Sequence, residues 1–269
     1  MLRTLATTAP DGTTIRASDQ GTGTAVLVVH GGLDDGRSWH RVAARLAARH
    51  RVVLLHRRQY RLDLAGPTDP AGPGWSVADE VQDVVAVAAT IGAPVLLVGH
   101  SSGAVVALEA LVAAPEAFAG AVLYEPPLHV EEAEWDERIA RARRARSTAG
   151  AMTIFLRDVV GIRPWQAVLA GLAIATVPPI RKLAPRQLDD ADAINRLGVR
   201  LDAYAGITTP VVLLGGSRSP RHLLDRLAAL AEVLPGSRTV VLDGQGHGAN
   251  TQAPRRVAAV IEDLAGEVR

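Results

Sequence analysis

The chain has 269 residues, 48% hydrophobic and 21% charged, which suits one large globular domain, or a domain with an insertion, and excludes a disordered chain. Its net charge of +1 gives no bulk electrostatic reason to expect nucleic acid or an acidic membrane surface as a partner. It contains no cysteine, so thiol catalysis, disulfides and cysteine-based metal sites are ruled out.

Met1-Leu2-Arg3-Thr4 runs into polar sequence without the apolar core of roughly 7–15 residues that a secretory signal needs. Residues 2–7 and 14–19, on either side of Asp11-Gly12, read as an opening hairpin. Short runs rich in Val and Leu then recur at 25–30, 51–56, 94–99, 120–124, 210–214 and 238–242. Unbroken apolar runs of this length suit strands buried on both faces, hence a parallel sheet. The segments between them carry helical spacing. Val42 and Leu46, then Val81, Val84, Val85 and Ala88, form stripes, with Arg41, Arg45, Asp79, Glu80 and Asp83 off the stripe. Strands alternating with helices predict a doubly wound, mostly parallel α/β sheet.

The rhythm breaks between Tyr124 and Val211, where no convincing strand occurs. Glu131, Glu132, Glu134, Asp136 and Glu137 precede Arg138, Arg141, Arg143, Arg144 and Arg146, an order that complements a helix dipole and predicts one solvated helix. Further helices are expected over 152–162, 165–175 and 188–197. The longest apolar stretch, Trp165 to Ile180, contains Gln166 and ends with Pro178 and Pro179 near its close, short of the roughly 20 residues of a membrane span. A soluble cytoplasmic protein with no membrane partner is the expectation.

Two segments carry chemistry. Gly99-His100-Ser101-Ser102-Gly103 lies between the apolar run 94–98 and the helix-like run 104–113. This is a G-x-S-x-G turn in the strand–turn–helix setting that pushes a serine hydroxyl out at the carboxyl end of a sheet. Glycine is needed at 99 and 103 because side chains there would meet crowded backbone. Near the other end, Asp243-Gly244-Gln245-Gly246-His247-Gly248 forms a glycine-rich loop after the last strand, presenting His247 where it can serve Ser101 as a base. No H-E-x-x-H, phosphate-binding or dinucleotide-binding motif accompanies them, so neither metal nor cofactor is expected.

With these residues in place the chain resembles the α/β-hydrolase superfamily, over nearly its whole length. The resemblance extends to Val28-Val29-His30-Gly31-Gly32 with Trp39, similar to the family's oxyanion loop, to the run 211–215, and to the turn Leu234-Pro235-Gly236. It implies a core domain of residues 1–125 and 206–269 and a helical cap, or lid, of residues 126–205 over the active site. Phe155 and Trp165 in the cap, with Leu33 and Tyr60 in the core, are candidates to line the pocket. The cap's apolar residues equally suit its own core. His56 and Tyr60 either reach the pocket or brace the turn 56–61. His30 is expected to brace its loop.

The resemblance also implies a triad acid a few residues after the strand at 211–214, and there the chain departs from the pattern. Residues 215–222 hold no acid, and Asp225 falls well down the next helix. Glu125 stands instead at the end of the preceding strand, the position that some branches of the superfamily use, among them a mycotoxin lactone hydrolase group. Glu125 is the expected acid; a Ser–His dyad and Asp225 are the alternatives. The oxyanion hole is expected from the N–H groups of Gly32 and Ser102, with Leu33 as runner-up. The implied activity is that of a cofactor-independent serine hydrolase acting on a small ester or lactone. Acyl transfer, thioester or C–C bond cleavage, and a non-catalytic ligand-binding role remain open at this point.

Overall fold

The computed structural model describes residues 2–64, 75–92, 94–131 and 135–268. An antiparallel hairpin of β1 (Arg3–Thr8) and β2 (Thr14–Gln20) opens the chain, and β2 pairs with β4. Then follow β3 (Ala25–Val29), α1 (His40–Leu46), β4 (Arg51–His56), α2 (Val77–Ile91), β5 (Val95–His100), α3 (Ser102–Ala113) and β6 (Phe118–Tyr124). The sheet resumes with β7 (Val211–Gly216), α10 (Arg221–Val233) and β8 (Arg238–Leu242), and the chain closes with α11 (Ala249–Gln252) and α12 (Pro254–Glu267). Between β6 and β7 lie α4 (Trp135–Arg143), α5 (Thr148–Asp158), α6 (Pro164–Thr176), α7 (Pro178–Arg181), α8 (Ala184–Leu197) and α9 (Leu201–Tyr204).

The eight strands run β1-β2-β4-β3-β5-β6-β7-β8, parallel from β4 onward. This is the doubly wound sheet that the apolar runs predict. Every residue of β5 and β7 is buried, because helices cover both faces. One core cluster joins α2 and α3 to one face and continues into the insertion; the other joins α1 and α12 to the opposite face. The strand β8 differs, alternating half-buried and exposed residues, because it is the sheet's edge.

The insertion is helical, and a bridge between His129 and Val199 ties its two ends together. The charged helix is α4, shorter than the charge pattern suggests; Glu132 and Glu134 lie outside the described residues. It is not solvated all round, since Trp135, Ile139 and Ala142 are buried. Its arginines meet acids: Arg141 meets Asp158, Arg143 meets Asp189 and Asp192, and Arg144 meets Glu137. Among the described residues no helix is long and apolar enough to cross a membrane.

Candidate active site

Ser101 occupies the turn between β5 and α3 with φ 53° and ψ −128°, a left-handed conformation that costs a non-glycine residue about 1–2 kcal/mol. Its N–H donates to the Tyr124 carbonyl at 2.8 Å, which locks the turn to the neighbouring strand. The flanking glycines are required sterically. A methyl at Gly99 would come within 2.5 Å of the Ala104 Cα, and one at Gly103 within 2.3 Å of the His30 carbonyl oxygen.

Glu125 follows β6 directly, also left-handed at φ 47° and fully buried. One carboxylate oxygen lies 2.6 Å from His247 Nδ1. The other accepts the Gly216 N–H at 2.7 Å and the Ser219 hydroxyl at 2.5 Å. The loop after β7 thus carries no acid but supplies donors to one. A carboxylate so engaged holds the imidazole in a single tautomer, with the proton on Nδ1 and Nε2 left for chemistry. Asp225 is exposed and pairs with Arg221 at 3.5 Å, on the helix surface.

The His247 loop is clamped from below. The His100 Nε2 donates to the His247 carbonyl at 3.0 Å, and the His100 ring stacks on Tyr124 with centroids 4.7 Å apart. The Tyr124 hydroxyl donates to the Gly246 carbonyl and accepts the Ala249 N–H at 3.0 Å. Gly216 permits this closure, since a methyl there would sit 2.4 Å from the Gln245 carbonyl oxygen. Burial, reinforced by the neighbouring His247, pushes the His100 imidazole well below its usual range, so it remains a neutral brace.

Ser101 and His247 line one cavity of about 210 Å³, roofed by the insertion. Its floor includes Gly32, Leu33 and Ser102; Phe155, Val159, Gln187 and Ile194 come from above, and His222 and Leu223 from the start of α10. Leu33 is left-handed at φ 51°, so Leu33, Ser101 and Glu125 are the positive-φ non-glycine residues among those described. Ser101 and Glu125 directly follow β5 and β6, and Leu33 lies in the loop after β3. Among the described residues the N–H groups of Gly32, Leu33 and Ser102 make no hydrogen bond, which leaves them available to an oxygen in the cavity. Burial, with the Arg226 charge second, pushes His222 down to about 4, which keeps it neutral at physiological pH. A second, open cleft of about 970 Å³ meets the first at Gly32, Leu33 and His247; His30, Asp34, His56, Arg61, Ile180 and Leu183 help to form its walls.

A buried polar network joins core to insertion beside the serine. Arg57 binds Glu80 at 3.0 Å through Nε, Asp190 of α8 at 2.8 Å, and the Ser102 hydroxyl at 2.7 Å. Burial alone would lower its pKa, but Asp190 and Glu80 outweigh that and raise it, so the guanidinium stays charged. The Tyr60 hydroxyl donates to Asp190 at 2.6 Å. Gln187 packs so close that a methyl at Gly32 would lie 1.9 Å from its Oε1.

The structure therefore brings Ser101, Ser102, Gly32, Leu33, Phe155 and His247 to one cavity, with Glu125 behind the histidine. Tyr60 borders the open cleft, its hydroxyl committed to Asp190. His56 borders it too and meets Ser18 at 3.0 Å. His30 braces its loop through Nδ1 and the Gly31 carbonyl. Trp165 is a correction. It is 59% exposed and lines neither space, because α6 packs inward through its small residues Ala167 and Gly171. Sequence reasoning missed Gln187, Ile194, Val159 and His222 in the cavity wall. The acid-free loop 215–222 was the available signal for His222, the only imidazole it holds.

Comparison with known proteins places the chain in a family. A model of the alpha/beta hydrolase family matches residues 26–260. BpoC of Mycobacterium tuberculosis, which carries the provisional name of a non-heme bromoperoxidase, is 30% identical, with 89% of this chain and 92% of that protein covered. A 2-(acetamidomethylene)succinate hydrolase of Mesorhizobium japonicum is 24% identical, with 90% and 87% covered. Among solved structures, an alpha/beta hydrolase from Sphaerobacter thermophilus superposes with a TM-score of 0.78 at 25% identity, over 97% of this chain and 99% of that one.

Proposed function

The chain belongs to the alpha/beta hydrolase family, and from that premise we propose that it is a serine hydrolase cleaving a carboxylic ester or lactone through an acyl-serine intermediate. The observation that carries this reading is the 2.6 Å contact between Glu125 and His247 Nδ1, made by a histidine that shares a cavity with a serine on a strained strand end.

The Ser101 oxygen attacks the substrate carbonyl carbon as His247 Nε2 takes its proton, and the imidazolium is held by the Glu125 carboxylate. The negative charge that forms on the carbonyl oxygen is met by the N–H groups of Gly32 and Ser102. Each such donor typically contributes about 3–4 kcal/mol to the transition state. His247 then protonates the leaving alcohol oxygen as the carbon–oxygen bond breaks. Water, deprotonated by the same histidine, attacks the acyl-serine, and the acid leaves with Ser101 restored. The insertion acts as the lid of this site, and its apolar side chains suit an apolar acyl group or ring next to the reacting carbonyl. Serine rather than aspartate at position 101 speaks against displacement at an alkyl carbon, which needs a carboxylate nucleophile.

A fluorophosphonate probe followed by peptide mapping tests the nucleophile. Modification at Ser101 that disappears in Ser101→Ala and in His247→Ala supports the reading, and an unmodified wild-type protein refutes it. A panel of short esters, lactones, thioesters and β-diketones then separates ester cleavage from its rivals; turnover confined to thioesters or diketones would replace the substrate class.

A further inference from the structure

The outer face of the insertion carries a feature that the catalytic reading does not use. Trp165, Val168, Leu169 and Leu172 recur at helical spacing on one side of α6, and with Val177 they are 40–59% exposed. These five are more than half of the nine large apolar residues that stand exposed among the described residues. The opposite side of α6 is closed by Ala167 and Gly171 against α5, and α6 packs chiefly on α5 and α7. The stripe is therefore a ridge on the outside of the molecule. A solvated helix gains nothing by turning Trp and Leu to water, so a concentrated patch of this kind marks a contact surface.

Charge identifies the partner. From Val159 to Leu188 there are four basic residues, Arg163, Arg181, Lys182 and Arg186, and no acid. Arg163, Arg181 and Lys182 are exposed, and none has a carboxylate partner among the described residues. Two copies of the chain meeting through this ridge would oppose like charges with nothing to neutralise them. A stripe of Trp and Leu flanked by unpaired bases matches instead the interface of an anionic bilayer, where aromatic and aliphatic side chains enter the headgroup boundary and Arg and Lys remain at the phosphates. The placement is also functional. Past Val177 the same segment becomes the wall of the open cleft, through Val177, Pro179, Ile180 and Leu183, so a surface seated on α6 lies beside that cleft.

We propose that the exposed face of α6, with Arg163, Arg181 and Lys182, docks the protein on an anionic lipid surface and sets the open cleft beside it. The net charge of +1 gives no hint of this, because that figure averages a basic cap segment with a slightly acidic remainder.

The test uses the full chain and vesicles of phosphatidylglycerol and phosphatidylcholine at equal proportions, with pure phosphatidylcholine as reference. Cosedimentation is expected with the mixed vesicles, weakening at least tenfold in 0.5 M salt and at least tenfold in Leu169→Ser/Leu172→Ser. Lys182 is the only lysine, so an amine reagent read by peptide mapping reports on this face in the unmutated protein. Its labelling should fall at least fivefold when mixed vesicles are added. Circular dichroism and turnover of a soluble short-chain ester should not change in the double variant. No binding to mixed vesicles, binding unaffected by the double substitution, or Lys182 labelling that is indifferent to vesicles would overturn the proposal. So would a dimer seen by light scattering that Leu169→Ser/Leu172→Ser converts to monomer, since the ridge would then belong to a second copy.

Discussion

The ends of β5 and β6 and the end of β7 are neighbours in one sheet, yet they are built in opposite ways. Ser101 and Glu125 each project a polar side chain from a strained left-handed residue, at φ 53° and φ 47°. The end of β7 is Gly215-Gly216, with no side chain to project, and it offers a backbone N–H and the Ser219 hydroxyl to Glu125. Glu125 reaches past β7 to His247 in the loop that follows β8, and takes donors from the β7 end on the way. A methyl at Gly215 would lie 3.5 Å from Glu125 Oε1 and 2.8 Å from Leu227. A histidine thus needs a buried, hydrogen-bonded carboxylate within reach, and the strand that supplies it can change if the one between supplies donors.

The largest effect should come from the strained side. Ser101→Ala, and His247→Ala with it, should lower kcat by about 10⁴-fold or more while leaving the fold intact, because the two groups act as one unit. More than a tenth of the activity surviving in Ser101→Ala would remove the nucleophile from the comparison altogether.

The contrast between strand ends is sharpened next by Glu125→Gln against Asp225→Asn. The amide should reduce kcat by about 10²–10⁴-fold through loss of the correct imidazole tautomer and of the imidazolium's counter-charge. Asp225→Asn, on the exposed surface after β7, should change kcat by less than about twofold. A reversal of this order would return the acid to the loop after β7.

The third strained residue, Leu33, follows His30 in the loop after β3, and here the readout is stability. Burial, opposed by Asp34, pushes His30 down to about 4. With an ordinary value near 6.5, the unfolded chain binds this proton first as pH falls. Stability from neutral His30 is then complete above about pH 6.5 and is lost as pH approaches 4, by on the order of 2–3 kcal/mol. Urea midpoints at pH 7.5 and 4.5 measure the loss, and His30→Asn should flatten it. An unchanged pH dependence in that variant would show that His30 does not contribute.

The smallest effect belongs to the donors after β7. Ser219→Ala removes one of the hydrogen bonds to Glu125 and leaves the Gly216 N–H and His247 in place, so kcat should fall by about 2–10-fold. A loss as large as that of Glu125→Gln would mean that the hydroxyl, and not the carboxylate alone, sets the histidine.

What the sequence determined by itself is what local chemistry decides. Short unbroken Val and Leu runs suit interior strands, and β8, which the same pattern placed among them, is covered less completely because it is the sheet's edge. Ser101 in a G-x-S-x-G turn between an apolar run and a helix-like run needs no tertiary knowledge to be placed at a strand's carboxyl end. Set against the pattern of the resembling family, the acid-free loop 215–222 and the carboxylate after β6 pointed to Glu125, with a Ser–His dyad and Asp225 left as alternatives. That this carboxylate meets Nδ1 of His247, 122 residues away, was decided by the strand order, which sets β6 one strand from β7 and two from β8. Tertiary structure alone also decided which cap residues face the cavity. The helix α6 is apolar almost all round, so its composition marks no inner face. The small residues Ala167 and Gly171 turned inward and put Trp165 in solvent, while Gln187 and Ile194 of the polar helix α8 reached the cavity. Likewise Arg57 reads as one more base in a basic turn until folding brings Asp190 to it from 133 residues away. A buried charge is stable only with its partner, and a partner that distant is fixed by packing rather than by any local pattern.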